Sequence, residues 1–156
     1  MNPIIKSHPN ITFIGNRQTM TFSQDKTFLL WNSFMPRRNE ITNRLGEELY
    51  NVVIYPNDFD FNPTTPFEKW ATAPVTNKTI VPPGMEILTI PEGLYAVFLY
   101  KGINTEAESF FKAIFTEWLP ASGYQLDNRP HFEILGNKYK HNDPSSEEEV
   151  WIPINS

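Results

Sequence analysis

The chain contains no cysteine. Disulfides and thiolate metal sites are therefore excluded. It has no apolar run near the roughly 20 residues that cross a bilayer. Its first residues, Met1-Asn2-Pro3-Ile4-Ile5-Lys6, lack the apolar stretch of a secretion signal. The expected location is the cytoplasm, so the sequons Asn10-Ile11-Thr12 and Asn77-Lys78-Thr79 carry no meaning. Basic residues are few: 13 Lys and Arg stand against 18 Asp and Glu, a net charge of −5. An acidic domain without a basic cluster cannot neutralise phosphates, so direct nucleic-acid binding is not expected. The one basic pair, Arg37-Arg38, falls near an expected helix end, where it would favour the carbonyl end of the dipole.

Chemical signatures are missing too. There is no glycine-rich phosphate loop and no Gly-x-Ser-x-Gly. His131-Phe132-Glu133 has the His-x-Glu spacing of zinc deaminases, but their Pro-Cys-x-x-Cys partner needs cysteine. His141-Asn142-Asp143 reads as an ordinary turn rather than a metal cluster. His8 carries no signal. Neither a cofactor nor a metal is expected.

Aromatic residues are plentiful, at 14% with 12 Phe, 6 Tyr and 4 Trp. Such a surplus suits a packed core or an aromatic-walled pocket. The 156 residues make one domain, 1–156. Two segments read as amphipathic helices. The first spans about 24–38, with Ser23 as N-cap and Phe28, Trp31 and Met35 on one face. The second spans about 105–119 and opens on the capping pattern Thr105-Glu106-Ala107-Glu108. Phe110, Phe111, Ile114, Phe115, Trp118 and Leu119 make its apolar face, and Pro120 and Gly123 end it. Strands are expected at about 11–22, 49–55 and 67–75, then at 85–101 with a break at Pro91-Glu92-Gly93, at 132–135 and at 150–154. Glu147-Glu148-Glu149 reads as a solvated, charged lead-in to the last of them.

Each half then runs strand, helix, strand, strand. The halves, about 1–81 and 84–156, meet at Val81-Pro82-Pro83-Gly84, a turn signal. Two such pseudo-repeats side by side predict an α+β fold: one antiparallel-rich sheet, two helices on one face, and a groove between them. Grooves between packed elements hold small ligands. By periodicity Phe111, Phe115 and Trp118 lie near that groove or in the core beneath it.

One carboxylate stands out. Glu133 sits within the short strand His131-Phe132-Glu133-Ile134-Leu135, fenced by Arg129-Pro130 and Gly136-Asn137. Strand alternation puts it on the opposite face from Phe132 and Ile134. It faces either water or a cavity, and a buried carboxylate would be costly unless it served a ligand.

The ending Glu147-Glu148-Glu149-Val150-Trp151-Ile152-Pro153-Ile154, after a Phe-Glu-Ile-Leu strand, resembles the GyrI-like small-molecule-binding domain. That module is also the effector-binding domain of multidrug-responsive bacterial transcription activators. Leu30-Trp31-Asn32-Ser33-Phe34-Met35-Pro36-Arg37-Arg38 resembles the first helix of stand-alone members, and Phe67-Glu68-Lys69-Trp70-Ala71 a middle strand. The resemblance implies a tandem strand–helix–strand–strand fold that binds bulky aromatic, often cationic compounds between its helices. It implies that Glu133 is the central glutamate of that groove and Trp118 the tryptophan ending the second helix. The tyrosine of the second strand is Tyr50 or Tyr55, and Trp70 and Tyr95 are further candidates. The expected partner is a hydrophobic small molecule. Some stand-alone relatives hydrolyse cyclopropane-bearing, DNA-alkylating natural products, which would make Glu133 catalytic by orienting or activating a water. A third reading, a protein partner, follows from members held to inhibit DNA gyrase.

Overall fold

The computed structural model describes residues 1–76, 80–102, 107–136 and 147–155. The second sequon and His141-Asn142-Asp143 lie outside the described residues, as does the capping pattern at 105–108, apart from the backbone from residue 107 on.

The chain runs β1 (Ile4–His8), β2 (Ile11–Met20), α1 (Thr27–Phe34) with a 3-10 extension (Met35–Glu40), β3 (Leu49–Ile54), β4 (Phe67–Val75), β5 (Glu86–Ile90) and β6 (Gly93–Lys101). Then follow α2 (Ala107–Ala113), a π-helical turn (Ile114–Trp118), α3 (Leu119–Ser122), β7 (Gln125–Leu126), β8 (His131–Leu135) and β9 (Glu147–Asn155). The strands form one antiparallel sheet in the order β1-β6-β9-β8-β3-β4-β2-β5, with β7 paired to the end of β9. The fold is the expected α+β sheet with its helices on one face. Strands β1 and β7 carry no alternation that sequence reading picked up.

Side-chain parity divides the sheet. Asn51 of β3 stands opposite Glu133 of β8, which stands opposite Val150 of β9. These residues and those two positions away share one face. On that face α1 packs with Ile14, Met20, Val53 and Phe67, and the second helical segment packs with Phe98, Tyr100, Val150 and Ile152. The other face buries Phe13, Tyr50, Trp70, Tyr95, Phe132 and Trp151. The sheet must curl strongly there. His8 of β1 lies four strands from Tyr50 of β3, about 19 Å in a flat sheet, yet their rings are 6.3 Å apart. His8 is therefore core, ringed by Tyr50, Tyr95, Phe132 and Trp151. Burial lowers its pKa against a weaker opposing hydrogen bond to the Pro9 carbonyl.

Both helices depart from their expected limits. The first begins at Thr27, whose N–H donates to Asp25 Oδ1 at 2.8 Å. Ser23 does not cap it; its hydroxyl meets Thr21 instead. The buried stripe is Leu30 and Phe34, while Phe28 is 74% exposed. Leu29, Leu30 and Trp31 are consecutive apolar residues, so two adjacent stripes fit the helical period equally well. Arg37 and Arg38 close the segment, Arg37 on Glu40 and Arg38 on the Met35 carbonyl. The second helix passes through Pro120 and stops at Gly123, in the left-handed region at φ 83°. A proline within a helix clashes with the preceding turn. Here the turn ahead of Pro120 is widened, and the Leu119 N–H reaches the Ile114 carbonyl five residues back.

Candidate functional site

Between the helices, the middle of the sheet floors a cavity of about 720 Å³. That lies within the 300–1,000 Å³ range of ligand pockets. β3 contributes Val53 and Tyr55, just past its end, to the lining; β8 contributes His131 and Glu133; β4 contributes Lys69. Phe111 and Phe115 face it from the second helix. Phe22 and Asp25, ahead of α1, and Phe61 and Pro63, from the β3–β4 loop, complete the lining. Aromatic contacts knit these walls together. Tyr55 stacks on Phe59 at 4.6 Å and meets His131 edge-on at 4.9 Å. Phe61 reaches from the loop to within 5.3 Å of Phe115. It holds φ at 56°, a conformation that costs a bulky residue free energy. A smaller cavity of about 190 Å³ lies beyond Tyr55, Phe61 and His131, which line both.

Polar groups sit in the floor and beside it. Asn51 is held by Trp31 of α1, whose Nε1–H donates to Oδ1 at 3.1 Å, and Asn51 Nδ2 donates to Glu133 Oε1 at 3.4 Å. Glu148 lies beside Glu133 and hydrogen-bonds it. Burial first, then the charge of Glu133 and that hydrogen bond, push the Glu148 pKa up to about 9, against a weaker pull from Lys69. Glu148 therefore holds its proton at neutral pH. Burial, with a smaller push from Arg129, drives His131 down to about 3, so its ring is neutral. Burial and the Glu133 charge keep the Tyr55 phenol protonated. Lys69 Nζ donates to Thr27 Oγ1 at 2.8 Å, and that hydroxyl in turn donates to Asp25. Lys112 lines the cavity from an exposed position. Among the described residues no ion pair reaches Glu133 or Glu148.

Four of the expected site residues come together here: Glu133, Tyr55, Phe111 and Phe115. Glu133 faces the cavity, opposite in parity to Phe132 and Ile134. Tyr50, Trp70 and Tyr95 lie on the other face of the sheet, in the aromatic core. Their parity decides this: the odd-numbered residues of β3 and β4 and the even-numbered residues of β6 face the helices. Tyr50 leans on Phe13 at 4.8 Å, Trp70 Nε1–H donates to Glu68, and Tyr95 donates to the Pro130 carbonyl under the Arg129 guanidinium. Trp118 packs edge-on against Phe98 at 5.1 Å, beneath the helix and outside the cavity lining. The solvated reading of Glu147-Glu148-Glu149 is corrected. All three belong to β9, and Glu148 is only 8% exposed. Its place two residues before Val150 put it on the groove face, a signal that three consecutive charges hid. Lys69, His131 and Phe61 were also missed; parity reveals the first two, while Phe61 lies on a loop whose path no periodicity describes.

A curled antiparallel sheet with two helices over one face and an aromatic cavity between them is the architecture of a small-molecule-binding α+β domain. Residues 1–155 match the GyrI-like small molecule binding domain, and the chain belongs to that family. It is 27% identical over 156 residues to the transcriptional regulator BrlR of Pseudomonas aeruginosa, covering 99% of this chain and 56% of the regulator. The chain thus spans a little over half the length of that relative. The fold is shared with the C-terminal domain of EcmrR, at a TM-score of 0.73 and 13% identity, covering 99% of this chain and 98% of that one. It is shared also with SAV2435 bound to tetraphenylphosphonium, at a TM-score of 0.64 and 14% identity, covering 100% and 95%. No helix among the described residues is long and apolar enough to cross a membrane.

Proposed function

We propose that this domain binds bulky, aromatic, hydrophobic organic cations in the cavity between its helices, with Glu133 as the charge-reading group. Tyr55, Phe111 and Phe115 supply the aromatic area. The observation that carries this reading is Glu133 in the lining of an aromatic cavity, with Glu148 buried beside it and no ion pair reaching either among the described residues. A half-buried carboxylate without a cation carries part of the cost of a buried charge, and a cationic guest relieves it. Aromatic faces attract the same guest. The lysines of the lining form no ion pair with Glu133: Lys69 donates to Thr27 and its charge also acts on Asp25, and Lys112 is exposed. The cationic aromatic compound bound by SAV2435 is of the class proposed. We infer that the two halves, about 1–81 and 84–156, are pseudo-repeats of one unit; each lends its first strand to the other, β1 pairing β6 and β5 pairing β2, and the site lies over the central β3–β8 pair.

The test is titration with tetraphenylphosphonium, followed by calorimetry and melting temperature. Wild type should bind and be stabilised. Glu133→Gln should weaken binding by about 2 kcal/mol, roughly 30-fold, the cost of removing one partner of a buried charge pair. Equal affinity in the variant would refute the role of Glu133.

A second reading is supported by the proton that Glu148 holds beside Glu133. A protonated carboxyl next to a carboxylate is an acid–base pair, as hydrolytic opening of a strained ring requires. Incubation with a cyclopropane-bearing alkylating agent decides between them. Product formation lost in Glu133→Gln supports hydrolysis; binding without product supports binding alone.

A further inference from the structure

The smaller cavity differs from its neighbour in size and in chemistry. Its volume of about 190 Å³ is below the roughly 300 Å³ at which ligand pockets begin. It is too small for a whole guest, yet wide enough for a short chain. Tyr55, Phe61 and His131 line both cavities and form the partition between them. Beyond that partition the lining turns polar. Asp58 comes from the β3–β4 loop, and Asp127, Asn128 and Arg129 come from the segment between β7 and β8.

The charges of this lining do not cancel. Arg129 Nε donates to Asp127 Oδ2 at 2.9 Å, and its Nη2 donates to the carbonyls of Leu94 and Ile154 at 2.6 and 3.0 Å. The guanidinium is thus fixed on Asp127 and on backbone. Among the described residues no ion pair reaches Asp58. Its carboxylate is exposed, so a guest meets it without displacing a packed group. His131, in the partition, is neutral and sets no positive charge between Glu133 and Asp58. One negative charge is left over at the small cavity, as another is left at Glu133 in the large one. We propose that the small cavity is a second compartment of the ligand site, taking a short ammonium-ended arm of a guest whose aromatic cationic body fills the main cavity, with Asp58 as the partner of the ammonium. This rests on the cation-binding reading above and extends it to aromatic cations that carry an amine arm. An ammonium paired with an exposed carboxylate strengthens binding by up to about fivefold, and salt screens the gain.

The experiment uses alkyltriphenylphosphonium probes with arms of about three to six carbons, ending either in an amine or, at the same length, in a hydroxyl. The amine is protonated at pH 7. Calorimetry at low salt gives Kd for each pair. At one or more lengths the amine probe should bind wild type about fivefold more tightly than its hydroxyl counterpart. In Asp58→Asn that gain should vanish while hydroxyl-probe affinity stays within about twofold. Asparagine tolerates the left-handed backbone here, at φ 58°, and Asp58→Gly serves as a second variant should the first fold poorly. Asp25→Asn removes the other carboxylate that lines the main cavity with Glu133, and it should leave the gain in place. A gain below about twofold at every length, a gain that persists in Asp58→Asn, or one lost in Asp25→Asn instead would each overturn the inference while leaving cation binding intact. Failure of tetraphenylphosphonium and of every hydroxyl probe to bind wild type would overturn the cation reading, and this inference with it.

Discussion

His131 gives the site a pH signature that can be calculated. Its ring lies at the cavity floor, 8% exposed. Burial, and secondarily Arg129, lowers its pKa from 6.5 to about 3. A lowered pKa means that the folded protein refuses a proton the unfolded chain accepts. The sign follows: the neutral ring costs nothing above pH 6.5, and stability is lost as pH falls from there toward 3. Each unit costs about 1.4 kcal/mol once the unfolded histidine is charged. Between pH 7 and pH 5 the loss comes to about 2 kcal/mol. Wild type alone cannot display it, because Glu148 acts oppositely. Its raised pKa makes the folded state gain stability as pH falls from about 9 toward 4.5. His8, also lowered, adds to the loss. Comparison with His131→Phe cancels both, since the variant keeps Glu148 and His8. Phenylalanine preserves a ring against Tyr55 and Phe115 and leaves nothing to titrate. Urea unfolding at pH 7 and pH 5 should show the stability difference between variant and wild type moving about 2 kcal/mol in favour of the variant at the lower pH. In melting experiments the same movement is about 4–8 °C for a domain of this size. A difference that stays constant to within about 0.5 kcal/mol would mean that the folded protein protonates His131 as readily as the unfolded chain does. The neutral floor would then be wrong.

Two other perturbations separate wall from core. Phe61→Ala removes the ring that bridges the loop to Phe115. It should weaken aromatic cations by about 1 kcal/mol with little change in melting temperature, because Phe61 is 40% exposed. Trp118→Leu should do the reverse, lowering stability by about 2 kcal/mol and leaving affinity unchanged. If cation affinity instead follows Trp118 and ignores Phe61, the cavity has been drawn around the wrong rings. Gly15→Ala tests the sheet beneath the site, since a Cβ there would lie 1.9 Å from the Ala71 carbonyl oxygen. The strands would have to separate, and soluble yield or melting temperature should fall by the equivalent of several kcal/mol; an unchanged melting curve would contradict the close pairing of β2 and β4.

The sequence disclosed most of the sheet because its strands carry period-two patterns bounded by Gly, Pro and Asn. It disclosed the second helix because aromatic residues recur there at three- and four-residue steps. It did not disclose β1, whose two isoleucines are exposed at an edge, because an edge strand need not alternate. The site was half legible. Parity within a strand is visible in sequence, but which parity faces the groove is decided by neighbouring strands. That is why Tyr50 and Tyr55 looked equivalent until register put one on each face. Glu148 was illegible for a different reason. Its environment is made by Glu133, fifteen positions away, and the triplet around it looks solvated. Trp118 shows the converse error, since an aromatic at the end of an amphipathic helix fits a core and a pocket equally well.

The arrangement of charge bears on how loosely the proposed site would choose its guests. Tyr55 and His131 line the floor and Glu148 lies buried beside Glu133, and burial disfavours the charged form of each. Lys69 is occupied by Thr27. Among the described residues no ion pair then reaches Glu133, while the walls offer ring faces and few hydrogen-bonding groups. Specificity from hydrogen bonds rejects a mismatched analogue strongly, whereas apolar area discriminates weakly. Affinity across a ligand series should therefore follow charge and apolar area rather than the pattern of donors and acceptors. The opposite face of the sheet supports this division. Its aromatic core, closed by His8, fixes the floor and the position of Glu133, while Phe22 and Phe61, both partly exposed, form the walls that could shift between guests of different outline.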